Sequence, residues 1–214
     1  PPRASASDER SWTRREALRS WAFWRLTLAF GLHMMAQQSV SLYRFPHYED
    51  QGIAPSIVSF AASMEGVASI AGALLVGPLI ARHGTQRVTS LGFICMAVSH
   101  ILTITTTSVA HVVAAIAVFG LGVSFLVMGQ NLLYPLFFGR RHIGAIRGIG
   151  LSFTLAVAGL SGPATGFIAD RTGSFNYIWW PMVTILVVSS ALIFTAKAPT
   201  YRDAGAAPER AQAG

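Results

Sequence analysis

The chain has 214 residues, of which 52% are hydrophobic and only 12% are charged. Soluble domains carry about a quarter charged residues, so this composition argues against an ordinary soluble protein. The single cysteine, Cys95, excludes a disulfide-stabilised fold. The net charge of +7 is compatible with nucleic-acid binding, so the positions of the basic residues have to decide between that function and others. The charged residues gather in short clusters, and the apolar stretches between them are long enough to cross a hydrocarbon core of about 30 Å.

The chain begins with a polar linker that leads into a short helix. Residues 1–20 are mostly small or polar, and Thr13 and Glu16 have the spacing of a capping box, in which two side chains satisfy free backbone N–H groups. We therefore expect a cytoplasmic linker and helix over residues 1–21, with the helix running into the first span. Because the chain does not start with Met and shows no signal peptide, we expect it to be a piece of a longer protein.

Apolar stretches predict six transmembrane helices, because backbone inside a bilayer must satisfy its own hydrogen bonds. The predicted spans are residues 22–43, 55–80, 88–107, 110–137, 145–169 and 176–196. The predicted breaks lie at Pro46 with Gly52 and Pro55, and at residues 83–85, 105–108, 139–142 and 172–174. The expected fold is all-α, a polytopic six-helix bundle over residues 22–196 followed by a cytoplasmic tail over residues 197–214.

The basic residues predict the orientation of the bundle. With the N-terminus in the cytoplasm, all 16 Lys and Arg residues except Arg44 and Arg171 fall in inner segments. This is the positive-inside bias, so we expect both termini in the cytoplasm and interpret the basic charge as topology rather than as a nucleic-acid surface. The five Trp residues agree, because all of them fall at or near span ends, where aromatic side chains prefer the membrane interface.

A short basic turn follows the second span, with the sequence Gly-Pro-Leu-Ile-Ala-Arg-His-Gly-Thr-Gln-Arg over residues 77–87. Gly77 permits close helix packing, Gly84 permits a tight turn, and Arg82 and Arg87 suit the inner membrane face. The turn resembles the signature loop of the major facilitator superfamily, Gly-x-Leu-Ala-Asp-Arg-x-Gly-Arg-Arg. The sequence departs from it at Ala81, where the family has an aspartate that joins a charge network stabilising the outward-facing state.

The fifth span carries a second resemblance to the same family. A glycine-rich face is followed by Ile-Ala-Asp-Arg-Thr-Gly over residues 168–173, and the residues of this motif are Gly150, Gly159, Gly162, Pro163, Gly166, Asp170 and Arg171. The superfamily has similar Gly-Pro stretches in its fifth and eleventh helices, where small residues let helices approach and bend. General small-residue packing is the alternative, and it explains the glycines but not the string after them.

Two further matches set the order of the segments. Residues 11–24 resemble the central cytoplasmic loop that leads into the seventh helix of twelve-helix members, and residues 138–148 resemble the loop before the eleventh. The resemblance therefore implies the C-terminal six-helix half of such a carrier. The chain most resembles bacterial carriers of the monocarboxylate and oxalate–formate type, and this resemblance implies a bacterial plasma (inner) membrane.

The resemblance also implies a mechanism and partners. Carriers of this type are secondary transporters that move a small solute by alternating access, as symporters or antiporters. The expected partners are the lipid bilayer, a small-molecule solute, and an N-terminal six-helix half or a second copy of the chain. No Gly-rich phosphate loop is present to bind ATP, so we expect a proton or solute gradient as the energy source and no cofactor or metal.

Polar residues inside predicted spans are the candidate site residues, since they are costly in a membrane and often functional. Glu65 is the acidic residue deepest in a span, and burial would favour its neutral form. Such a carboxyl group suits proton coupling, in which it alternates between the protonated and the charged form. A structural glutamate bonded to a neighbouring helix is the alternative.

Further candidates lie on the first and fourth spans. His33 and Gln37 share one helix face, and if it is turned inward they could contact substrate; a structural histidine is the alternative. Gln130, Asn131 and Tyr134 lie in the inner third of the fourth span and could donate hydrogen bonds to a ligand or an adjacent helix. Weaker candidates are Ser152 and Thr154, and a solvated position at the outer mouth is expected for Arg44 and His47. Residues 69–76 and 151–169 contain no cation, so an anion site would need charge from elsewhere.

Other functional classes fit the sequence less well. Residues 159–162 match the Gly-x-Ser-Gly of rhomboid proteases, but the last histidine, His142, precedes the serine, whereas those enzymes carry it on a later helix. We therefore predict that the chain is not an enzyme. Aquaporin-type Asn-Pro-Ala loops are absent. The alternative that stays open is a free-standing six-helix protein, acting as a dimeric half-carrier or as a non-transporting scaffold.

Overall fold

The computed structural model describes residues 12–173 and 176–199, and every regular element in these ranges is an α-helix. The all-α fold class is therefore confirmed for this part of the chain. The predicted linker before Trp12 and the tail beyond Pro199 lie outside the described residues. The helices are α1 (Arg14–Arg19), α2 (Trp21–Asp50), α3 (Pro55–His83), α4 (Thr85–Ile104), α5 (Val109–Phe138), α6 (Ile143–Gly159), α7 (Ser161–Thr172) and α8 (Asn176–Phe194).

Five of the predicted spans are long and apolar enough to cross a membrane, namely α3, α4, α5, the α6–α7 segment and the described part of α8. Helix α2 has 30 residues, which is ample length, but it does not meet the same criterion of apolarity. The reason is the polar side chains along it, among them Arg25, His33, Gln37 and Arg44. Length and composition thus support five of the six predicted spans directly.

The capping box at the start of the chain is confirmed. The Thr13 hydroxyl accepts a hydrogen bond from the Glu16 N–H at 3.4 Å, and the Glu16 carboxylate accepts one from the Thr13 N–H at 2.7 Å. The expectation that this helix runs into the first span is wrong. Ser20 has an extended backbone (φ −77°, ψ 128°) that ends α1, and its hydroxyl accepts the Ala22 N–H to start α2.

The first predicted break is misplaced, because α2 continues through Pro46 to Asp50. A proline inside a helix removes one N–H donor, which transmembrane helices tolerate where neighbouring groups compensate. The chain instead turns over residues 51–54, where Gly52 has a φ of 78°, and Pro55 occupies the first position of α3. The breaks predicted at residues 83–85, 105–108 and 139–142 are confirmed. The break at residues 172–174 is described only in part, since Ser174 lies outside the described ranges.

The predicted fifth span is two helices, α6 and α7, which meet at Leu160. Pro163 lies in the first turn of α7 and has no N–H to continue the hydrogen-bonding of the preceding helix, which accounts for the break. Close packing is not found at every motif glycine. A Cβ added at Gly77, Gly159 or Gly162 would meet nothing within 4 Å, so these positions are open in the described structure.

The helices form a row in which each packs on its neighbours. Helix α5 lies between α3 and α4, α8 packs on α4 and α2, and α6 lies along α2. The main core is aromatic and includes Phe23, Phe30, Phe93, Tyr134 and Trp179. Helices α3 and α6–α7 stand at the two ends of this row. In the most apolar 18-residue stretch of each, only 11% of α3 and 17% of α6–α7 is buried, against 44–56% for α4, α5 and α8.

Candidate functional site

The structure pairs Glu65 of α3 with Arg44 of α2. The Arg44 Nη1 atom donates to the Glu65 Oε2 atom at 2.7 Å, and the Arg44 guanidinium lies 4.6 Å from the ring centroid of Phe119 on α5. Arg44 is only 8% exposed, so the expectation that it is solvated at the outer mouth is wrong. Its long stem and the Phe119 ring allow the charge to lie in an apolar setting next to a counter-charge.

Two local features bring this ion pair together. Helix α2 continues beyond its predicted end, which carries Arg44 on a regular helix towards α3. Helix α3 is held against α5 by serine hydroxyls, since Ser69 donates to the Gly120 carbonyl at 3.1 Å and Ser124 donates to the Ser69 carbonyl at 2.6 Å. Gly120 is required for this approach, because a Cβ there would lie 2.5 Å from the Glu65 carbonyl oxygen.

A buried polar cluster lies beside the ion pair, towards the end of α2. The Trp179 indole N–H donates to His47 Nδ1 at 3.2 Å, and His47 Nε2 lies 3.1 Å from the Thr103 carbonyl oxygen. Because the indole N–H can only donate, Nδ1 accepts and the proton of neutral His47 lies on Nε2, where it can donate to Thr103. The Gln51 amide, 2.9 Å from the same Nε2 atom, must then turn its oxygen towards the ring. His47 is 3% exposed, so the expectation of a solvated side chain is wrong for it as well.

His33 and Gln37, one turn apart on α2, differ in how deeply they are buried. His33 is 5% exposed and lies edge-on to Phe93 of α4, with ring centroids 5.9 Å apart. Its Nδ1 atom is buried and has no hydrogen-bond partner among the residues that the structure describes. Gln37, one turn further, is only partly buried. His33 therefore packs in the core of the bundle, whereas Gln37 does not.

The candidates on α5 are brought together at the other end of the bundle. The Tyr134 hydroxyl lies 3.0 Å from the Thr27 hydroxyl and is buried, while Asn131 accepts a hydrogen bond from Arg147 Nη2 at 2.6 Å. A cavity of about 350 Å³ opens between α5 and α6 and is lined by Gln130, Tyr134, Gly144, Arg147, Gly148 and Leu151.

Sequence reasoning missed Arg147 as a site residue. The cation-free stretch of the fifth span, residues 151–169, begins one helical turn after this arginine. Helical periodicity was the available signal, because positions 147, 148 and 151 share a face and all three residues line the cavity. The ion pair, next to Phe119, and the cavity, next to Tyr134, lie at different heights along α5. At 1.5 Å per residue, these two positions are about 22 Å apart along the helix axis.

The motif residues lie mainly at turns and on exposed surfaces. Gly84 has a φ of 85° and joins α3 to α4, as the tight turn requires, and Arg82 and Arg87 are exposed. In the second motif Asp170 and Arg171 are exposed on α7, with the Arg171 guanidinium 4.7 Å from the Phe167 ring centroid.

Comparison with protein-family models finds a match over most of the chain. The family model of the Major Facilitator Superfamily matches residues 26–213. The match covers most of α2 and all of the helices that follow it. A comparison with curated proteins finds no match.

Proposed function

Since the chain belongs to the major facilitator superfamily, whose members are membrane transporters and not enzymes, we propose that it moves a small solute by alternating access. In this mechanism its six-helix bundle rocks against a second bundle around a site near the middle of the membrane. We place this chain as the C-terminal bundle of the carrier, in a bacterial inner membrane with both termini in the cytoplasm. The excess of Lys and Arg at the corresponding end of the bundle supports that orientation.

The observation that carries the proposal is the exposure of α3 and α6–α7. These apolar helices stand at the ends of the row, and little of either is covered by the rest of the chain. Glycines on them, including Gly77 and Gly159, have open space where a Cβ would be. Membrane helices associate closely at small residues, so a second bundle packed on these two helices would use them.

Site-specific photo-crosslinking tests the second bundle. A photoreactive amino acid at Ala73, exposed on α3, is expected to crosslink to protein, and the same group at Val187, exposed on α8, is expected to react with lipid. A crosslink within one polypeptide identifies an N-terminal half, and a dimeric product identifies a second copy. The rocking mechanism would be contradicted if neither position reacted with protein.

We further propose that Glu65 couples transport to protons. The Glu65 side chain is 30% exposed on α3, the helix proposed to face the second bundle, whereas its partner Arg44 is buried. Protonation of Glu65 removes the attraction that joins α2 to α3 at this point and leaves the arginine without its counter-charge. Uptake and release of one proton would therefore loosen and restore the contact between these two helices.

The solute is proposed to contact the polar groups of the cavity between α5 and α6. Gln130 and Tyr134 line it directly, and Asn131 is held at its edge by Arg147. Gln37 is a further candidate because it is only partly buried. His33 is assigned to packing, since it lies against Phe93 in the core.

Proton movement in proteoliposomes tests the coupling role. A solute that stabilises the purified protein against heat is first selected from a panel, and its gradient is then used to drive proton flux reported by an internal pH dye. The Glu65→Gln variant is expected to lose the proton flux but to keep solute exchange, and Glu49→Gln, an exposed acid at the end of α2, is the matched control. Unchanged flux in Glu65→Gln would remove the coupling role while leaving transport itself intact.

A further inference from the structure

A basic cavity lies where the chain enters α2 and leaves α8. It has a volume of about 490 Å³, and its wall includes Arg19, Trp21, Arg25, Thr195 and Lys197. None of the residues that line it is acidic. Three positive charges thus face one cavity, within the part of the chain that the structure describes, with no carboxylate in its wall.

The three cations differ in how they are held. Arg25 is fixed at the rear, because its Nη atoms donate to the carbonyl and the hydroxyl oxygens of Thr195 at the end of α8. Arg19 and Lys197 are exposed and free of any ion pair among the described residues. The cavity therefore combines one positioned guanidinium with two exposed cations, an arrangement suited to a phosphate group.

Two exposed aromatic side chains accompany the cations of the cavity. Trp21 in its wall is 72% exposed, and Phe194, next to Thr195, is 60% exposed. Tryptophan at this depth is typical of the level of lipid headgroups. A ligand that fills the cavity with its charge and covers these two side chains has to be amphipathic.

We propose that this cavity binds the phosphate headgroup of an anionic phospholipid, with the acyl chains lying along the exposed side chains of Trp21 and Phe194. The site belongs to this bundle alone and does not depend on the proposed solute or on proton coupling. Basic cavities between transmembrane helices at a membrane face bind such headgroups by charge attraction, at about five-fold in affinity for each Lys or Arg near the surface.

Native mass spectrometry of the detergent-purified protein tests this site with phosphatidylglycerol and with phosphatidylcholine. We expect preferential retention of phosphatidylglycerol, and an apparent affinity about 25-fold lower in Arg19→Gln/Lys197→Gln, which removes two exposed charges. The control is Arg14→Gln/Arg87→Gln, which removes two exposed charges outside the cavity and is expected to retain the lipid. Equal loss in both double variants would overturn the site, because diffuse charge would then explain the binding.

Competition distinguishes a lipid from a free anion. Inorganic phosphate at a concentration equal to that of the lipid is expected to leave phosphatidylglycerol bound, because it cannot cover the apolar side chains. Displacement by phosphate, or equal retention of phosphatidylcholine, would overturn the proposal. Gel filtration of each variant confirms that it is folded, so that a loss of lipid reports on the cavity.

Discussion

Two arginines, Arg44 and Arg147, lie in contrasting surroundings in this bundle. Arg44 is buried, lies over an aromatic ring and meets the carboxylate of Glu65 at 2.7 Å. Arg147 is half-buried at the edge of an open cavity and donates to the neutral amide of Asn131 at 2.6 Å. The first charge is balanced by a carboxylate, whereas the second, within the described residues, donates to a neutral amide.

The contrast separates two uses of a positive charge. A buried ion pair holds two helices together, and the loss of either partner leaves an uncompensated charge in a medium of low dielectric. A half-exposed arginine on an amide contributes little to the bundle, because water screens it, and it can exchange the amide for a ligand. Stability is therefore expected to depend on the Arg44 pair and solute contacts on the Arg147 region.

The largest expected effect is on the ion pair. Glu65→Ala leaves Arg44 buried without a counter-charge and should lower the free energy of unfolding by about 3 kcal/mol, the low end for buried pairs because Glu65 is only partly buried. Thermal unfolding in detergent measures this. The double variant Arg44→Met/Glu65→Met should recover most of the loss, and a double variant no more stable than Glu65→Ala would contradict a buried pair.

A smaller effect is expected where α3 approaches α5. Gly120→Ala places a Cβ 2.5 Å from the Glu65 carbonyl oxygen, so the helices must separate, at a loss of about 2 kcal/mol. Gly144→Ala, at the exposed start of α6, is the matched control, because nothing lies within 4 Å of its added Cβ. The two melting temperatures should differ, and equal values would show that α3 is not held this closely.

The hydrogen bond between α5 and α2 is expected to contribute less. Tyr134→Phe removes the hydroxyl that lies 3.0 Å from the Thr27 hydroxyl and should lower stability by about 1 kcal/mol. Thr27→Val, which removes the other partner, should give a similar loss, and the two losses should not add in the double variant. Fully additive losses would mean that the two hydroxyls act independently.

The smallest effect on stability is expected at Arg147. Arg147→Gln should change the free energy of unfolding by less than about 0.5 kcal/mol, since the side chain is half-exposed and its partner is neutral. The same variant should weaken the thermal stabilisation by any solute that binds in the cavity. A large loss of intrinsic stability would place Arg147 with Arg44 as a structural charge and remove the contrast between them.

Much of the fold was predictable because it depends on local chemistry. Spans were found from apolar length, the first helix from the capping box at Thr13, and turns from glycines such as Gly84 and Gly139, which have φ values of 85° and 75°. Each of these features needs only a few neighbouring residues. The misplaced break at Pro46 shows the limit of such rules, since a proline is tolerated in a helix once neighbours support it.

The candidate site depended on contacts between distant residues and was harder to predict. Glu65 was identified from its own sequence position, but its partner was not, because the pairing requires α2 to extend beyond its expected end and α3 to approach α5 at Gly120. Periodicity placed His33 and Gln37 on one face without saying which helix that face meets. Orientation about a helix axis is decided by tertiary packing, which one sequence does not display.

The anchoring of Trp12 has a mechanical consequence. Its backbone N–H donates to the Phe138 carbonyl at 3.0 Å, and the two rings meet edge to face with centroids 6.1 Å apart. The chain is thus fastened to the end of α5 before it reaches α2. A pull on the polypeptide upstream of Trp12 would load the last turn of α5 and the turn at Gly139 first, while the start of α2 is shielded from the tension.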